Sequence, residues 1–207
     1  MKYYASLPVK KFILELSEKT SVPGGGSASA LTACAGISLL IMAGNYTLGK
    51  KGYENRSSEI KRILSKLKPL QKKTQTLIDL DIKAYLSFEK IYFRIKKSSD
   101  PKSKENLIAM DNAFKKTFLA PANIFDAAEK SVSYGIRLSE ICNKNLKSDA
   151  ICGITLLYAG IATAKINMDV NLNMIQDKRF AADARKRYDN RFKTVQNKIK
   201  SLKSNYL

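Results

Sequence analysis

The residues best suited to chemistry begin with a glycine-rich segment near the N-terminus. Gly24, Gly25 and Gly26 precede Ser27, which opens a long uncharged segment with the composition of a helix. Glycines leave backbone N–H groups uncovered, and a helix N-terminus attracts anions or polarised oxygens. The segment therefore predicts a loop that lets a ligand approach the backbone closely. The alternative is a flexible linker followed by a Ser N-cap.

Three asparagines lie on helices that are otherwise apolar. Asn45 ends the first uncharged helix, and Asn167 and Asn171 are four residues apart on the second, so they share a face. A buried amide must find hydrogen-bond partners. Two interpretations stay open, a network of amides between helices or subunits, and recognition of a heterocycle with mixed donors and acceptors.

Carboxylates and a lysine complete the candidate chemistry. Asp81 follows an apolar run, and Asp149 follows a short polar loop. A carboxyl group in such surroundings has a raised pKa and can act as an acid or a base. The simpler interpretations are a helix cap for Asp149, exposure to solvent for the nearby Asp79, and a favourable cation at a helix C-terminus for Lys50.

The composition excludes several mechanisms. The 207 residues include 37 Lys and Arg, 18 Asp and Glu and no His, for a net charge of +19. Without His there is no Ser-His-Asp or Cys-His relay and no imidazole metal ligand. The excess charge either solvates helix faces or attracts an anionic ligand or polymer. We favour the first, because lysines recur along whole helices and greatly outnumber the arginines on which nucleic-acid readers depend.

The three cysteines and the two uncharged segments indicate where in the cell the protein is located and whether it crosses a membrane. No C-x-x-C spacing occurs, so we interpret the cysteines as reduced thiols of a cytoplasmic protein, with no metal site. The first residues lack the apolar core of a signal peptide. Residues 27–49 are long enough to cross a bilayer, but Lys165 interrupts the second segment. We therefore predict two core helices and no membrane association.

The elements that must position these residues all have the pattern of helices. The pattern predicts a helix from Pro8, a second over 27–49, and a third over about 55–97 with a kink at Pro69. The other predicted helices cover 104–119, 122–141, 149–175 and 177–206, with a break at Pro121. No run with strand periodicity occurs. The expected fold is all-α, one domain over 1–207, a bundle of six to eight helices around two apolar central helices rich in small residues.

Taken in order, five segments resemble the cyclodeaminase/cyclohydrolase family. This family comprises the C-terminal domain of formimidoyltransferase-cyclodeaminase and the stand-alone methenyltetrahydrofolate cyclohydrolases. The chain departs from it at Cys142, where a glycine is usual, and at Lys165, in a stretch that is usually rich in alanine. The segments that carry the resemblance are 23–28, 44–53, 81–85, 143–149 and 167–172.

The resemblance implies an all-helical homodimer with a folate pocket that includes the glycine-rich loop. It implies a tetrahydrofolate derivative as substrate, with no separate cofactor. The reaction is hydrolysis of 5,10-methenyltetrahydrofolate to 10-formyltetrahydrofolate, or expulsion of ammonia from 5-formiminotetrahydrofolate. We expect the first, because the chain is short and carries no formiminotransferase domain. The alternative outside enzymes is a Lys-rich helical protein that binds nucleic acid or an acidic partner.

Site residues follow from the motifs and the resemblance together. Asp81 or Asp149 is the expected base, with the other carboxylate orienting the water or a ring amide. Lys50 or Tyr53 is expected to pass a proton to the departing ring nitrogen. The residues expected to bind the substrate are Gly24, Gly25, Gly26, Ser27, Asn45, Tyr53, Asn143, Asn145, Asn167 and Asn171.

Overall fold

A computed structural model describes residues 3–204 of the chain. Within that range the protein is all-helical, as predicted, and contains no strand. Three short 3-10 segments, Tyr4–Ser6, Glu54–Arg56 and Lys144–Leu146, connect the longer elements. The six α-helices are α1 (Val9–Leu16), α2 (Gly25–Thr47), α3 (Ser57–Lys96), α4 (Lys104–Ile141), α5 (Lys147–Met174) and α6 (Lys178–Ser204).

Helices α2 and α5 pack against each other along their lengths and run in opposite directions. Gly25 lies beside Asn167 near one end, and Gly36 lies beside Gly153 further along. A Cβ atom on Gly36 would be 2.7 Å from the Gly153 carbonyl oxygen, and one on Gly153 would be 2.8 Å from the Gly36 carbonyl oxygen. The two backbones can approach this closely only because both positions lack a side chain.

Helix α4 is continuous, so the predicted break at Pro121 is wrong. A proline inside a helix removes the N–H that would bond to the carbonyl four residues earlier, here that of Thr117. Asn171 on α5 supplies the missing donor, since its Nδ2 donates to the Thr117 carbonyl oxygen at 3.3 Å. Pro121 is also buried, so packing holds it inside the helix. Pro69 likewise lies within the unbroken α3.

Asp79 is buried, which corrects the expectation that it faces solvent. Its Oδ1 accepts a hydrogen bond from the backbone N–H of Tyr4 at 2.6 Å and a longer one from that of Ala5 at 3.4 Å. The carboxylate therefore fastens the N-terminal segment to α3.

Two helices, α2 and α5, are long and apolar enough to cross a membrane by length and composition alone. Inside this fold, however, 56% and 44% of their most apolar windows are buried against other helices. Lys165 of α5 is buried, and its Nζ lies 2.6 Å from an Asp169 oxygen and 2.7 Å from an Asp189 oxygen on α6. A lysine paired in this way ties α5 to the strongly basic α6, so α5 packs as a core helix of the bundle.

Candidate active site

A cavity of about 220 Å³ lies where the start of α2 meets α3, α4 and α5. The Val22–Pro23 peptide bond before it is cis. Both polar and apolar groups line the cavity, and several are residues that the sequence singled out. The lining residues are Ser21, Val22, Gly24, Gly25, Gly26, Asp81, Ala84, Tyr85, Thr117, Pro121, Asn167, Val170 and Asn171.

Asp81 projects from α3 against the first turn of α2. Ser27 donates its hydroxyl to Asp81 Oδ2 at 3.1 Å and also contacts the Ile78 carbonyl oxygen at 3.3 Å. A Cβ atom on Gly26 would lie 2.1 Å from Asp81 Oδ1. Gly26 therefore makes room for the carboxylate, and Ser27 fixes its orientation.

The environment of Asp81 changes its acidity. Burial raises the pKa of its carboxyl group above the ordinary range, and hydrogen bonds from the hydroxyl and backbone of Ser27 oppose this only in part. The positive end of the α2 dipole gives the carboxylate further support. A carboxyl group tuned in this way can accept and return a proton closer to neutral pH than an exposed aspartate.

The two asparagines of α5 have different roles. Asn171 is tied to α4, because its Nδ2 donates to the Thr117 carbonyl oxygen and its Oδ1 accepts from the Thr117 hydroxyl at 3.0 Å. This is the inter-helix network that the sequence left open. Asn167 donates Nδ2 to the Thr163 carbonyl oxygen at 2.9 Å, and its amide lies against Gly25. The carbonyl oxygen of Asn167 has no hydrogen-bond donor among residues 3–204, so it can accept one from a ligand.

The remaining predicted site residues gather at the opposite end of α2. The backbone N–H of Asn143 donates to the Thr47 hydroxyl at 2.9 Å, and the N–H of Lys144 donates to the Tyr53 hydroxyl at 3.0 Å. Asn143 Oδ1 also accepts from the N–H of Asn145 at 3.1 Å. We call this the second cluster, and it consists of Asn45, Lys50, Tyr53, Asn143, Asn145 and Asp149.

The second cluster is far from the cavity within one chain. The 23 residues of α2 span about 34 Å, and Asp81 lies at one end while the second cluster lies at the other. Asp149 lies in the first turn of α5 and does not cap it, because the N-cap position belongs to Leu146. A single chain therefore brings Asp81, Ser27, Asn167, Asn171 and the three glycines together, but not Lys50, Tyr53 or Asp149.

Several residues of the cavity were not predicted from the sequence. Thr117 and Pro121 reach it from α4, where the false break at Pro121 hid their common face. Tyr85 lines the cavity beside Asp81 and could have been found, because a residue four positions later on a helix shares the same face.

The larger cavity and the placement of possible metal ligands were also compared with this site. A cavity of about 450 Å³ lies between α4 and α6, lined mainly by apolar residues such as Phe118, Phe180 and Tyr188, and it contains none of the predicted site residues. In the part of the chain that the structure describes, no group of three or more Cys, Asp and Glu side chains is placed to hold a metal ion. The smaller cavity beside Asp81 is therefore the better candidate.

The chain is similar to proteins of known function over most of its length. The chain is 26% identical to a methenyltetrahydrofolate cyclohydrolase from Methylorubrum extorquens, over 84% of each chain. It is 30% identical to a formimidoyltransferase-cyclodeaminase from Dictyostelium discoideum, over 96% of this chain but 36% of that protein. A crystal structure of formiminotetrahydrofolate cyclodeaminase from Thermotoga maritima superposes with a TM-score of 0.78 and 27% identity, over 95% of this chain and 91% of that one.

A family model also matches most of the chain. Residues 8–190 match the family model for formiminotransferase-cyclodeaminase, a range that includes every residue of the cavity and of the second cluster. The chain therefore belongs to the formiminotransferase-cyclodeaminase family.

Proposed function

We propose that the protein is an enzyme of folate one-carbon metabolism that hydrolyses 5,10-methenyltetrahydrofolate to 10-formyltetrahydrofolate. The observation that carries the proposal is the partly buried carboxylate of Asp81, held by Ser27 against the glycine-rich start of α2 in a cavity. The similarity to the Methylorubrum cyclohydrolase, which extends over most of both chains, supports this reaction.

The chemistry of the substrate suits such a carboxylate. The methenyl carbon lies between two nitrogens and shares a positive charge with them, so a nearby carboxylate stabilises the bound cation. As water attacks this carbon, Asp81 accepts a proton from it and a new C–O bond forms. The bond from the carbon to one ring nitrogen then breaks, and Asp81 returns the proton to that nitrogen. The hydroxyl group left on the carbon releases its own proton to solvent as it becomes the formyl oxygen, so the reaction yields one proton overall. Proton transfer by a positioned group contributes about 100- to 10,000-fold to the rate.

The other residues of the cavity position the substrate in this proposal. Gly24 and Gly25 allow the flat ring system to approach the backbone at the start of α2. Asn167 offers its carbonyl oxygen to an N–H of the ring, because its Nδ2 is engaged with Thr163. Asn171 keeps α4 and α5 in register around the bound molecule.

The second candidate is the cyclodeaminase reaction, favoured by the similarity to the Thermotoga maritima structure. There the leaving group is ammonia, which departs more readily when a nearby acid protonates it. A carboxyl group with a raised pKa serves that step as well as hydrolysis. Asp81 alone therefore does not distinguish the two reactions.

Assays of both substrates with the purified protein test the proposal. We expect the absorbance of 5,10-methenyltetrahydrofolate to disappear at a rate proportional to enzyme concentration, and Asp81→Asn to abolish this. Release of ammonia from 5-formiminotetrahydrofolate, without hydrolysis of the methenyl compound, would instead establish the cyclodeaminase. If neither substrate reacts and the protein binds nucleic acid in a salt-sensitive way, the non-enzymatic alternative is correct.

We also propose that the protein acts as a homodimer through α2 and α5. Both helices expose an uncharged stripe, which on α2 includes Ala35 and Tyr46 and on α5 includes Ile166 and Val170. Val170 is 59% exposed and also lines the cavity, so a second copy on this face would close the cavity. A two-fold axis across the middle of α2 would set the second cluster of one copy beside Asp81 of the other.

A charge placed in the stripe tests the dimer. Ala35 is exposed near the middle of α2, and we expect Ala35→Glu to convert a dimer into a monomer in sedimentation experiments. Ser58→Glu, at an exposed position outside the stripe, serves as the control and leaves the dimer intact. A wild-type monomer, or a dimer unaffected by Ala35→Glu, contradicts this interface.

The remaining expectations belong to the same proposal. We infer a cytoplasmic enzyme whose substrate is itself a tetrahydrofolate derivative, with no additional cofactor or metal. We expect no specific nucleic-acid partner and no membrane association. The paired Lys165 within α5 supports the last point, because it makes α5 a core helix.

A further inference from the structure

Three aromatic side chains continue the face of α3 that carries Asp81. Tyr85, Phe88 and Tyr92 follow Asp81 at intervals of four, three and four residues, so all four share one side of the helix. The ring centroids of Tyr85 and Phe88 are 6.0 Å apart, and those of Phe88 and Tyr92 are 6.1 Å apart. We call this row the aromatic ladder.

The core of the bundle does not account for the whole ladder. Tyr85 is 39% exposed and Tyr92 is 42% exposed, whereas Phe88 is half-buried. The ring centroid of Phe88 lies 4.9 Å from that of Phe114 on α4. Neither tyrosine hydroxyl has a hydrogen-bond partner within residues 3–204. Phe88 therefore anchors the ladder between α3 and α4, while the two tyrosines present ring surface to the outside.

The ladder begins in the cavity and ends at a positive charge. Tyr85 lines the cavity together with Asp81. Lys96, exposed in the last turn of α3, lies four residues after Tyr92 and extends the same face. Over the 15 residues from Asp81 to Lys96, about 22 Å of helix, the face offers a carboxylate, three aromatic rings and an ammonium group in that order.

This order is complementary to a ligand with a cationic head, an aromatic middle and an anionic tail. Building on the proposed function, we infer that the aromatic ladder and Lys96 form the subsite for the aryl-glutamate arm of the folate substrate. Tyr85 and Tyr92 contact the aromatic ring of the arm, and Lys96 pairs with its carboxylates. The arm then supplies binding energy far from the reacting carbon, while Asp81 acts on the head group.

Steady-state kinetics with 5,10-methenyltetrahydrofolate test the ladder. Loss of an aromatic contact of this kind weakens binding about 3- to 10-fold, so we expect Tyr92→Ala to raise KM by that factor with kcat unchanged. Tyr92→Phe keeps the ring and should keep the wild-type KM. Leu14→Ala is the control, because Leu14 is also an exposed apolar side chain but lies on α1, outside the ladder.

A pair of charge-reversal variants tests the proposed contact between Lys96 and the carboxylates of the arm. Lys96→Glu is expected to raise KM, whereas Lys97→Glu makes the same charge change one residue away from the ladder face and should not. The fragment N-(4-aminobenzoyl)-L-glutamate should inhibit the wild type competitively. Tyr92→Ala and Lys96→Glu should each raise its inhibition constant, with no effect on inhibition by a tetrahydropterin that lacks the arm.

The outcomes separate this inference from the proposed function. If the wild type hydrolyses the substrate but Tyr92→Ala and Lys96→Glu leave both KM and fragment inhibition unchanged, the ladder inference is overturned and the proposed function stands. If the same variants instead change the size of the protein in solution, the face is a contact between copies and the inference also fails. A wild type inactive on both folate substrates, which also fails to bind the fragment in equilibrium dialysis, overturns both.

Discussion

At the scale of single residues, the position of Asp81 depends on the absence of a side chain at Gly26. A Cβ atom there would lie within 2.5 Å of all three atoms of the carboxylate group. We expect Gly26→Ala to displace Asp81 and lower kcat by about two orders of magnitude, because small misplacements of catalytic groups have effects of that size. Activity assays and thermal unfolding measure the two consequences.

The matched control for Gly26→Ala is Gly24→Ala. No atom lies within 4 Å of the position that a Cβ on Gly24 would take, so this change should leave the free energy of unfolding within about 0.5 kcal/mol of wild type. Overpacking at Gly26 should cost about 1–3 kcal/mol. In an Asp81→Ala background that cost should disappear, and its persistence would show that the carboxylate is not what Gly26 accommodates.

The raised pKa of Asp81 predicts how stability changes with pH. The folded protein holds the Asp81 proton up to a higher pH than the unfolded chain does. As pH rises from the ordinary range of an aspartate through this raised pKa, the native state therefore loses stability relative to the unfolded state. The amide in Asp81→Asn does not titrate. The melting temperature of this variant should therefore rise relative to that of wild type as pH increases across the same interval.

The difference in melting temperature between Asp81→Asn and wild type can be measured from about pH 4, near the ordinary pKa of an aspartate, up to about pH 8. A constant difference would mean that Asp81 titrates as an exposed carboxylate. The same group should set the acidic limb of the profile of kcat/KM against pH, because the deprotonated form is the base. That limb should lie above the ordinary range of an aspartate.

Residue types and motifs predicted about half of the candidate site. Asp81, Asn167 and the glycines line one cavity, and Ser27 is bonded to Asp81 behind it. The glycines and Asn167 could be recognised because Gly-rich helix starts and amides on apolar helices are unusual, whereas Asp81 was preferred because of the resemblance to the family. The role of Asn171 was visible only in three dimensions. Its amide compensates for the N–H that Pro121 lacks, and no pattern within one helix reveals a donor on another.

At the scale of elements, the packing of α2 on α5 explains the small residues in both helices. An alanine is normally the better helix former, by about 1 kcal/mol over glycine. At Gly36 we expect the opposite sign, because a Cβ would lie 2.7 Å from the Gly153 carbonyl oxygen and 3.0 Å from the Leu157 nitrogen. Gly36→Ala should destabilise the protein by about 1–3 kcal/mol in denaturant unfolding. A stabilised variant would show that the two backbones are not in close contact.

The helix boundaries were predicted correctly where the apolar periodicity was strong. They were predicted wrongly where contacts with another helix overcame the local effect of a proline. The apolar spacing of α3 predicted a helix that the structure confirms to within about two residues at each end. The proline rule failed in α4, because the rule concerns a helix in isolation. Burial of Pro121 and the hydrogen bond from Asn171 remove most of the cost that the rule assumes.

At the scale of the whole molecule, the separation of the site residues bears directly on assembly. Cavity and second cluster lie at opposite ends of α2, about 34 Å apart, although the resemblance to the family groups them in one site. A dimer with antiparallel α2 helices removes this conflict, because it places the end of one α2 beside the start of the other. The uncharged stripes on α2 and α5 provide the surface for it.

Mixing two inactive variants tests whether the site is shared between copies. One variant carries Asp81→Asn, and the other carries Lys50→Ala with Asp149→Asn in the second cluster. If each site takes Asp81 from one copy and the second cluster from the other, a mixed dimer contains one site with every wild-type residue. Random exchange makes half of the dimers mixed, so the mixture should recover about a quarter of wild-type activity.

Each variant alone supplies the control for this complementation. Both should be inactive as homodimers, with the elution volume and melting behaviour of a folded dimer. If the second-cluster variant is fully active, that cluster takes no part in the reaction. If both are inactive and mixing after subunit exchange restores nothing, the cavity and the second cluster do not form one site across the dimer, because residues confined to one copy cannot complement each other.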